Sequence, residues 1–129
     1  MEQNNNNIEV GNKKKILVAE DTESNYMLVS FILKNEYELL WAHDGVEALE
    51  MYEINKPDLI LMDVRMPRLG GITVTSRIRE KDKTTPIIAL TAFAFESDRN
   101  KTLESGCNDF MAKPINAKSL KEMIKKYIG

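Results

Sequence analysis

The chain has 129 residues, 43% of them hydrophobic, with 18 basic against 20 acidic residues and a formal net charge of −2. That is enough chain for one domain with one core, and the near balance of charge excludes broad, non-specific nucleic-acid binding, which needs a clustered basic surface. No apolar run approaches the roughly 18 residues of a membrane span, and a single cysteine, Cys107, excludes an internal disulfide framework and fits a reducing cytoplasm.

Residues 1–13 are polar, with four consecutive asparagines from Asn4 to Asn7 and no apolar core of the kind a signal peptide carries. Such a composition buries too little surface to order itself, so it reads as a tether ahead of one domain over residues 14–129. Lys13, Lys14 and Lys15 near one end, and Lys125 and Lys126 near the other, read as solvated flanks.

Ile16-Leu17-Val18-Ala19 is a short apolar run that stops at Glu20-Asp21 and predicts a first strand. Thr22 is placed to cap a helix whose apolar positions Met27, Leu28, Phe31 and Ile32 recur at helical spacing. Tyr37 to Ala42 predicts a second strand with Trp41 in its packing. Asp44 to Ile54 predicts a helix that turns Val46, Leu49 and Met51 inward. Leu59 to Met62 is a third strand ended by Asp63, and Ile72, Val74 or Thr75, and Ile78 predict a helix reaching about Lys81. Pro86 to Leu90 is a fourth strand ended by Thr91. A helix from about Glu96 to Ser105 follows, with Gly106 to stop it. Asp109 to Ala112 is a short fifth strand ended by Lys113, and Ala117 to Tyr127 is the last helix. His43 reads as a surface or loop histidine, and Cys107 as a small packing residue in a turn.

The first, third and fourth strands are continuous apolar runs, as expected of strands covered on both faces in a parallel sheet between helix layers. Right-handed crossovers then make the sheet doubly wound. In such a sheet the C-terminal strand ends share one edge, where ligands of these folds bind. Glu20, Asp21, Asp63, Thr91 and Lys113 should therefore converge. Three crowded carboxylates repel one another unless a cation joins them. Mg²⁺, with Mn²⁺ as an alternative, suits carboxylates, a backbone carbonyl, waters and a phosphate oxygen. The three acids, one divalent ion and Lys113 sum to zero formal charge. Such a site could accept a phosphoryl group, its oxygens met by metal, ammonium and the Thr91 hydroxyl, with Asp63 as nucleophile. Glu20, Asp21 and Glu23 would repel a bare phosphate as in a flavin-phosphate loop, and no Gly-rich run ends in Lys and Ser/Thr as a P-loop requires.

Taken together, Ile16-Leu17-Val18-Ala19-Glu20-Asp21, Leu61-Met62-Asp63-Val64-Arg65-Met66-Pro67, Ala89-Leu90-Thr91-Ala92 and Lys113-Pro114 resemble the receiver domain of two-component response regulators, from about Lys14 to the C-terminus. The resemblance implies a flavodoxin-like (βα)₅ fold with strand order 2-1-3-4-5. It implies that Asp63 is the phosphorylated aspartate, that Glu20 and Asp21 are metal-site acids, and that the Arg65 carbonyl completes the protein's ligands. It further implies Thr91 as a switch hydroxyl, Phe110 as a switch aromatic, Lys113 as the phosphate-pairing lysine and a cis Lys113–Pro114 bond. The donor would be a histidine kinase or a histidine phosphotransfer domain. The reader would be a downstream protein on the fourth helix, fifth strand and fifth helix, with no direct nucleic-acid or membrane contact. With no DNA-binding domain after Gly129, output is expected through protein contacts or a larger parent chain. As an isolated domain the chain would be a phosphoacceptor, not an enzyme, in the cytoplasm. Glu20 to Asn25 and Leu90 to Phe95 are most similar to receivers of hybrid sensor histidine kinases, with a stand-alone regulator as the second context.

Three positions depart from the family pattern. Leu69 stands before Gly70-Gly71 where Asp or Asn is common, which would loosen the loop beside the site. Phe93, two residues past Thr91, could shield an acyl phosphate from water, while Arg65, two past Asp63, could hold a phosphate oxygen. Two other functions fit less well. A phosphorylation-independent interaction module would have a degraded acidic site, and a Mg²⁺-dependent phosphatase would want a second acid where Arg65 stands.

Overall fold

The structure is a computed structural model describing residues 13–92 and 96–129. Residues 1–12 of the polar N-terminal stretch, and Phe93 with its two successors, lie outside the described residues. The elements alternate: β1 (Lys15–Ala19), α1 (Glu23–Leu33), β2 (Glu38–Ala42), α2 (Gly45–Asn55), β3 (Leu59–Asp63), α3 (Gly71–Arg79), β4 (Ile87–Thr91), α4 (Glu96–Glu104), β5 (Asp109–Ala112) and α5 (Ala117–Ile128). All strand pairs are parallel and the sheet order is β2-β1-β3-β4-β5. This is the doubly wound α/β architecture expected from the apolar runs.

Burial follows strand position. β3 and β4 are buried at every residue and β1 at all but its first, whereas the edge strands β2 and β5 are mostly half-buried. Alternation sends Ile16 and Val18 to one face with Leu59, Leu61, Ile88 and Leu90, against Val29 and Leu33 of α1 and Leu120 and Ile124 of α5. Leu17, Ala19, Ile60 and Met62 face the other way, against Ala48 and Tyr52 of α2 and Val74 and Ile78 of α3. Each fully buried Leu or Ile contributes roughly 1.5–3 kcal/mol, so these two layers hold the strand ends in place.

Three local expectations are corrected. On α1 the inward residues are Val29 and Leu33. Met27, Leu28 and Phe31 instead point outward and are 60%, 41% and 76% exposed, with only Ile32 of the expected stripe partly packed. Helical spacing cannot distinguish two apolar stripes on one helix, and the deeper one wins because it meets β1 and β3. On α2, Ala48 and Tyr52 are the buried residues and Leu49 and Met51 pack half-buried against the same cluster as expected, whereas Val46 is half-buried outside it. Thr22 occupies the N-cap position of α1 but makes no side-chain cap bond; its N–H donates to Glu20 Oε2 at 3.2 Å. Elsewhere, Cys107 is buried beside Thr75, its Sγ 3.7 Å from the hydroxyl, and Gly106 ends the α4 turn with φ +116°.

The β3–α3 loop is fastened, although Leu69 replaces the Asx residue common there. Arg68, at φ +67°, donates through Nε and Nη2 to the Asp44 carboxylate at 3.0 and 3.1 Å. Asp44 also caps α2, accepting from Glu47 N–H at 2.8 Å. A Cβ on Gly45 would lie 1.9 Å from the Leu69 carbonyl oxygen, and one on Gly71 would lie 2.2 Å from that of Asp63. Two glycines thus let the loop sit directly against α2 and the end of β3.

Candidate functional site

The residues that end β1, β3, β4 and β5 meet at one edge because parallel registry carries every strand to the same side. Ala19 pairs with Met62, Asp63 with Leu90 and Thr91 with Ala112, so Glu20, Asp63, Thr91 and Lys113 lie within a residue or so of a common level. Glu20, Asp63 and Thr91 are buried, and Asp21 is exposed at the rim.

The Lys113 ammonium bridges two of the acids, donating to Glu20 Oε1 at 3.0 Å and to Asp63 Oδ2 at 3.2 Å. The other Glu20 oxygen accepts from Thr22 N–H at 3.2 Å and from the Asn25 amide at 3.4 Å. Asp63 Oδ1 accepts from Arg65 N–H at 3.2 Å. Burial, and then the Glu20 charge, push the Asp63 carboxyl up to about 6, against the pull of Lys113 and the Arg65 N–H. Burial would depress the Lys113 ammonium, but its hydrogen bond to Glu20 and the Asp63 charge outweigh it, and its pKa is raised.

One oxygen from each of Glu20, Asp21 and Asp63 lies within 4.8 Å of the others. An all-oxygen donor set of this charge, in a cluster where Asp63 resists ionising, fits a hard divalent cation, whose charge would reverse that resistance. Thr91 stands at the end of β4 with its hydroxyl-bearing side chain buried. Phe110 is half-buried on β5, and the Arg99 guanidinium lies over its ring, 4.5 Å from the centroid. The Lys113–Pro114 peptide is cis.

Sequence reasoning passed over three contributors. Asn25 holds the far oxygen of Glu20, and the Asp44–Arg68 pair anchors the loop that carries Arg65. Trp41, read as sheet packing, also donates its indole N–H to the Glu20 carbonyl at 2.7 Å. Trp41 pairs with Val18 and Ala42 with Ala19, so the indole reaches along the sheet edge to the Glu20 carbonyl, a contact that no local spacing in the sequence announces.

Comparison with known proteins agrees with this geometry. Residues 16–125 match the response regulator receiver domain. The chain is 35% identical over 119 residues to the polar-differentiation response regulator DivK of Brucella anthropi, covering 90% of this chain and 97% of that one. It is 42% identical over 125 residues to hybrid signal transduction histidine kinase I of Dictyostelium discoideum, covering 89% of this chain but only 7% of that one. Among solved structures, the receiver domain of sensor histidine kinase PA1611 from Pseudomonas aeruginosa superposes with TM-score 0.84 at 36% identity, covering 91% of this chain and 98% of that one; it holds a magnesium ion in its active-site cleft. The co-crystal structure of the Saccharomyces cerevisiae histidine phosphotransfer protein Ypd1 with the receiver domain of Ssk1 matches with TM-score 0.84 at 30% identity, over 89% of this chain and 88% of that one.

Proposed function

The chain belongs to the response regulator receiver domain family, and from that premise we propose that it accepts a phosphoryl group on Asp63 from a partner's phosphohistidine and uses the change to alter a protein-binding surface. The observation that carries the proposal is the constellation of Asp63, Glu20, Asp21 and Lys113, with three carboxylate oxygens within 4.8 Å and one ammonium bridging two of the acids.

Glu20, Asp21, Asp63 and the Arg65 carbonyl would hold Mg²⁺ or Mn²⁺. When bound, the ion would neutralise the acids and stabilise charge on the transferring phosphoryl oxygens. An Asp63 oxygen attacks phosphorus, the bond to the donor imidazole nitrogen breaks, and that nitrogen keeps the electron pair and takes a proton from water. Lys113 pairs with a phosphoryl oxygen in the product. The Thr91 hydroxyl turns toward another, and the space it leaves lets Phe110 turn inward, shifting the population of two surface states. As an isolated domain the chain is thus a phosphoacceptor that loads and unloads itself, and its site is cytoplasmic.

The exposed Met27, Leu28 and Phe31 support α1 as the face on which the histidine-bearing partner docks, since α1 starts directly beyond Asp21. The α4, β5 and α5 surface, which carries Phe110, is the face a downstream protein reads. The 42% identity to a Dictyostelium hybrid kinase supports a receiver of a hybrid histidine kinase as its context, which we place at the kinase's C-terminal end. DivK, matched over 97% of its length, supports the stand-alone alternative.

The test is mass spectrometry after incubation with acetyl phosphate and Mg²⁺, and separately with a phosphorylated histidine phosphotransfer domain. The expected result is one added phosphoryl group that Asp63→Asn does not acquire. No gain from either donor would leave a phosphorylation-independent binding module in its place.

A further inference from the structure

Two of the three acids sit on adjacent residues and are secured unequally. The Glu20 carboxylate is buried and accepts from Lys113, Thr22 N–H and Asn25. The Asp21 carboxylate is exposed, and no described residue donates a hydrogen bond to it or forms an ion pair with it. What aims Asp21 is therefore its backbone.

That backbone is gripped from the edge strand. Glu20 N–H donates to the Ala42 carbonyl at 2.9 Å, and the Glu20 carbonyl accepts the Trp41 indole N–H at 2.7 Å. The carbonyl belongs to the same rigid peptide plane as the Asp21 nitrogen, so holding one sets the direction in which Asp21 leaves the strand. The indole itself has little freedom. Tyr26 stacks flat on it at 4.2 Å with an interplanar angle of 1°, and the His43 ring packs at 4.0 Å, tilted by 31°. His43 is tied in turn to Glu47 Oε1, which accepts its backbone N–H at 2.8 Å and lies 2.7 Å from Nδ1.

We propose that Trp41 is a positioning residue of the metal site, its indole N–H orienting the Glu20–Asp21 peptide so that the Asp21 carboxylate faces the cation together with Glu20 and Asp63. The inference rests on the metal-binding reading above. Packing alone would explain an aromatic ring here, because β2 is an edge strand and Tyr26 needs a neighbour. Packing does not call for a short, charge-neutral hydrogen bond to the peptide that carries two acids, and phenylalanine would stack as well. Mg²⁺ requires near-ideal octahedral geometry at about 2.0–2.1 Å, so a small swing of Asp21 would weaken binding.

Trp41 is the chain's single tryptophan, so biosynthetic replacement by benzothienylalanine exchanges only the indole N–H for sulfur and keeps the ring shape. Mn²⁺ binding is counted from the EPR signal of the free ion, with Mg²⁺ as competitor, in the wild-type, benzothienyl and Trp41→Phe proteins. Both altered proteins are expected to bind each ion about three- to tenfold more weakly, the range for loss of one hydrogen bond, while melting near wild type in chelator. Wild-type affinity in the benzothienyl protein overturns the proposal; if that protein does not fold, wild-type affinity in Trp41→Phe does. Absence of binding by the wild-type protein overturns the metal reading itself, a result distinct from either.

Discussion

The Lys113 ammonium reaches across the sheet edge to lie 3.2 Å from the Asp63 carboxylate while also donating to Glu20 at 3.0 Å. The lysine thus occupies, between two buried acids, the side of Asp63 that a phosphoryl oxygen would take. Its removal leaves more negative charge around the cation position but takes away a donor for the product. Lys113→Gln should therefore bind Mg²⁺ at least as tightly as wild type yet take up a phosphoryl group about a hundredfold more slowly, the scale of losing one preorganised charge-stabilising donor. Metal titration and acetyl phosphate labelling, run side by side, check the split. A parallel loss of both would mean that Lys113 supports only the shape of the site.

Asp63, pushed up to about 6, competes for its proton with any bound cation. Below that value, metal binding must release one proton, so Mg²⁺ affinity should rise about tenfold per pH unit up to roughly pH 6 and level off above it. In Asp63→Asn the dependence should flatten as affinity falls. Mn²⁺ titrations at half-unit steps from pH 5 to 8 measure this, and a flat wild-type curve would remove Asp63 from the ligand set.

The same elevation has a consequence for stability, opposite in sign to that of an ordinary paired carboxylate. Between the unperturbed value of 3.8 and about 6 the folded chain keeps a proton on Asp63 that the unfolded chain releases, so the Asp63 contribution to metal-free stability, read as wild type against Asp63→Asn, is lost as pH rises through that window. Above pH 7 in chelator, Asp63→Asn should be more stable than wild type by on the order of 2 kcal/mol. Mg²⁺ should then stabilise the wild type and leave the variant nearly unchanged. Denaturant melts with and without chelator read both effects.

Gly45 has no room for a side chain, since a Cβ would fall 1.9 Å from the Leu69 carbonyl. Gly45→Ala must push the β3–α3 loop outward and strain the Asp44–Arg68 pair. A loss of about 2–3 kcal/mol is expected, accompanied by weaker Mg²⁺ binding because Arg65 rides on that loop. Arg68→Ala should reproduce part of the metal effect with a smaller stability loss. Wild-type metal affinity in both variants would mean that the loop's anchoring does not reach the site.

Phe31 is 76% exposed, so Phe31→Ser should change stability by less than about 0.5 kcal/mol. Acetyl phosphate labelling should be unaffected, while transfer from a phosphorylated histidine domain should slow several-fold. Unaltered transfer would move the donor's docking face away from α1.

Much of this protein was legible in its residues. Uninterrupted apolar runs at Ile16 to Ala19, Leu59 to Met62 and Pro86 to Leu90 require two covered faces, and parallel strands with helical crossovers follow from that. Strands that share a direction also share an end, so Glu20, Asp63, Thr91 and Lys113 could be assigned to one edge without coordinates. The inward face of α1 could not be assigned in the same way. Met27, Leu28, Phe31, Val29 and Leu33 are all apolar, and only contact with β1 and β3 decides which of them are core. Contacts set by the approach of distant segments were equally hidden. The Trp41 indole meets the Glu20 carbonyl because β2 pairs level with β1, and Arg68 meets Asp44 because two glycines permit close approach. Neither pair has a local spacing that announces it. The chain by itself determined which chemical groups reach the edge, since strand order and period are properties of the sequence. Thr22, Asn25 and the Arg65 N–H hold the acids from nearby in sequence, but tertiary packing decided the rest, because Lys113, Trp41 and the Asp44–Arg68 pair join residues that sequence distance does not relate.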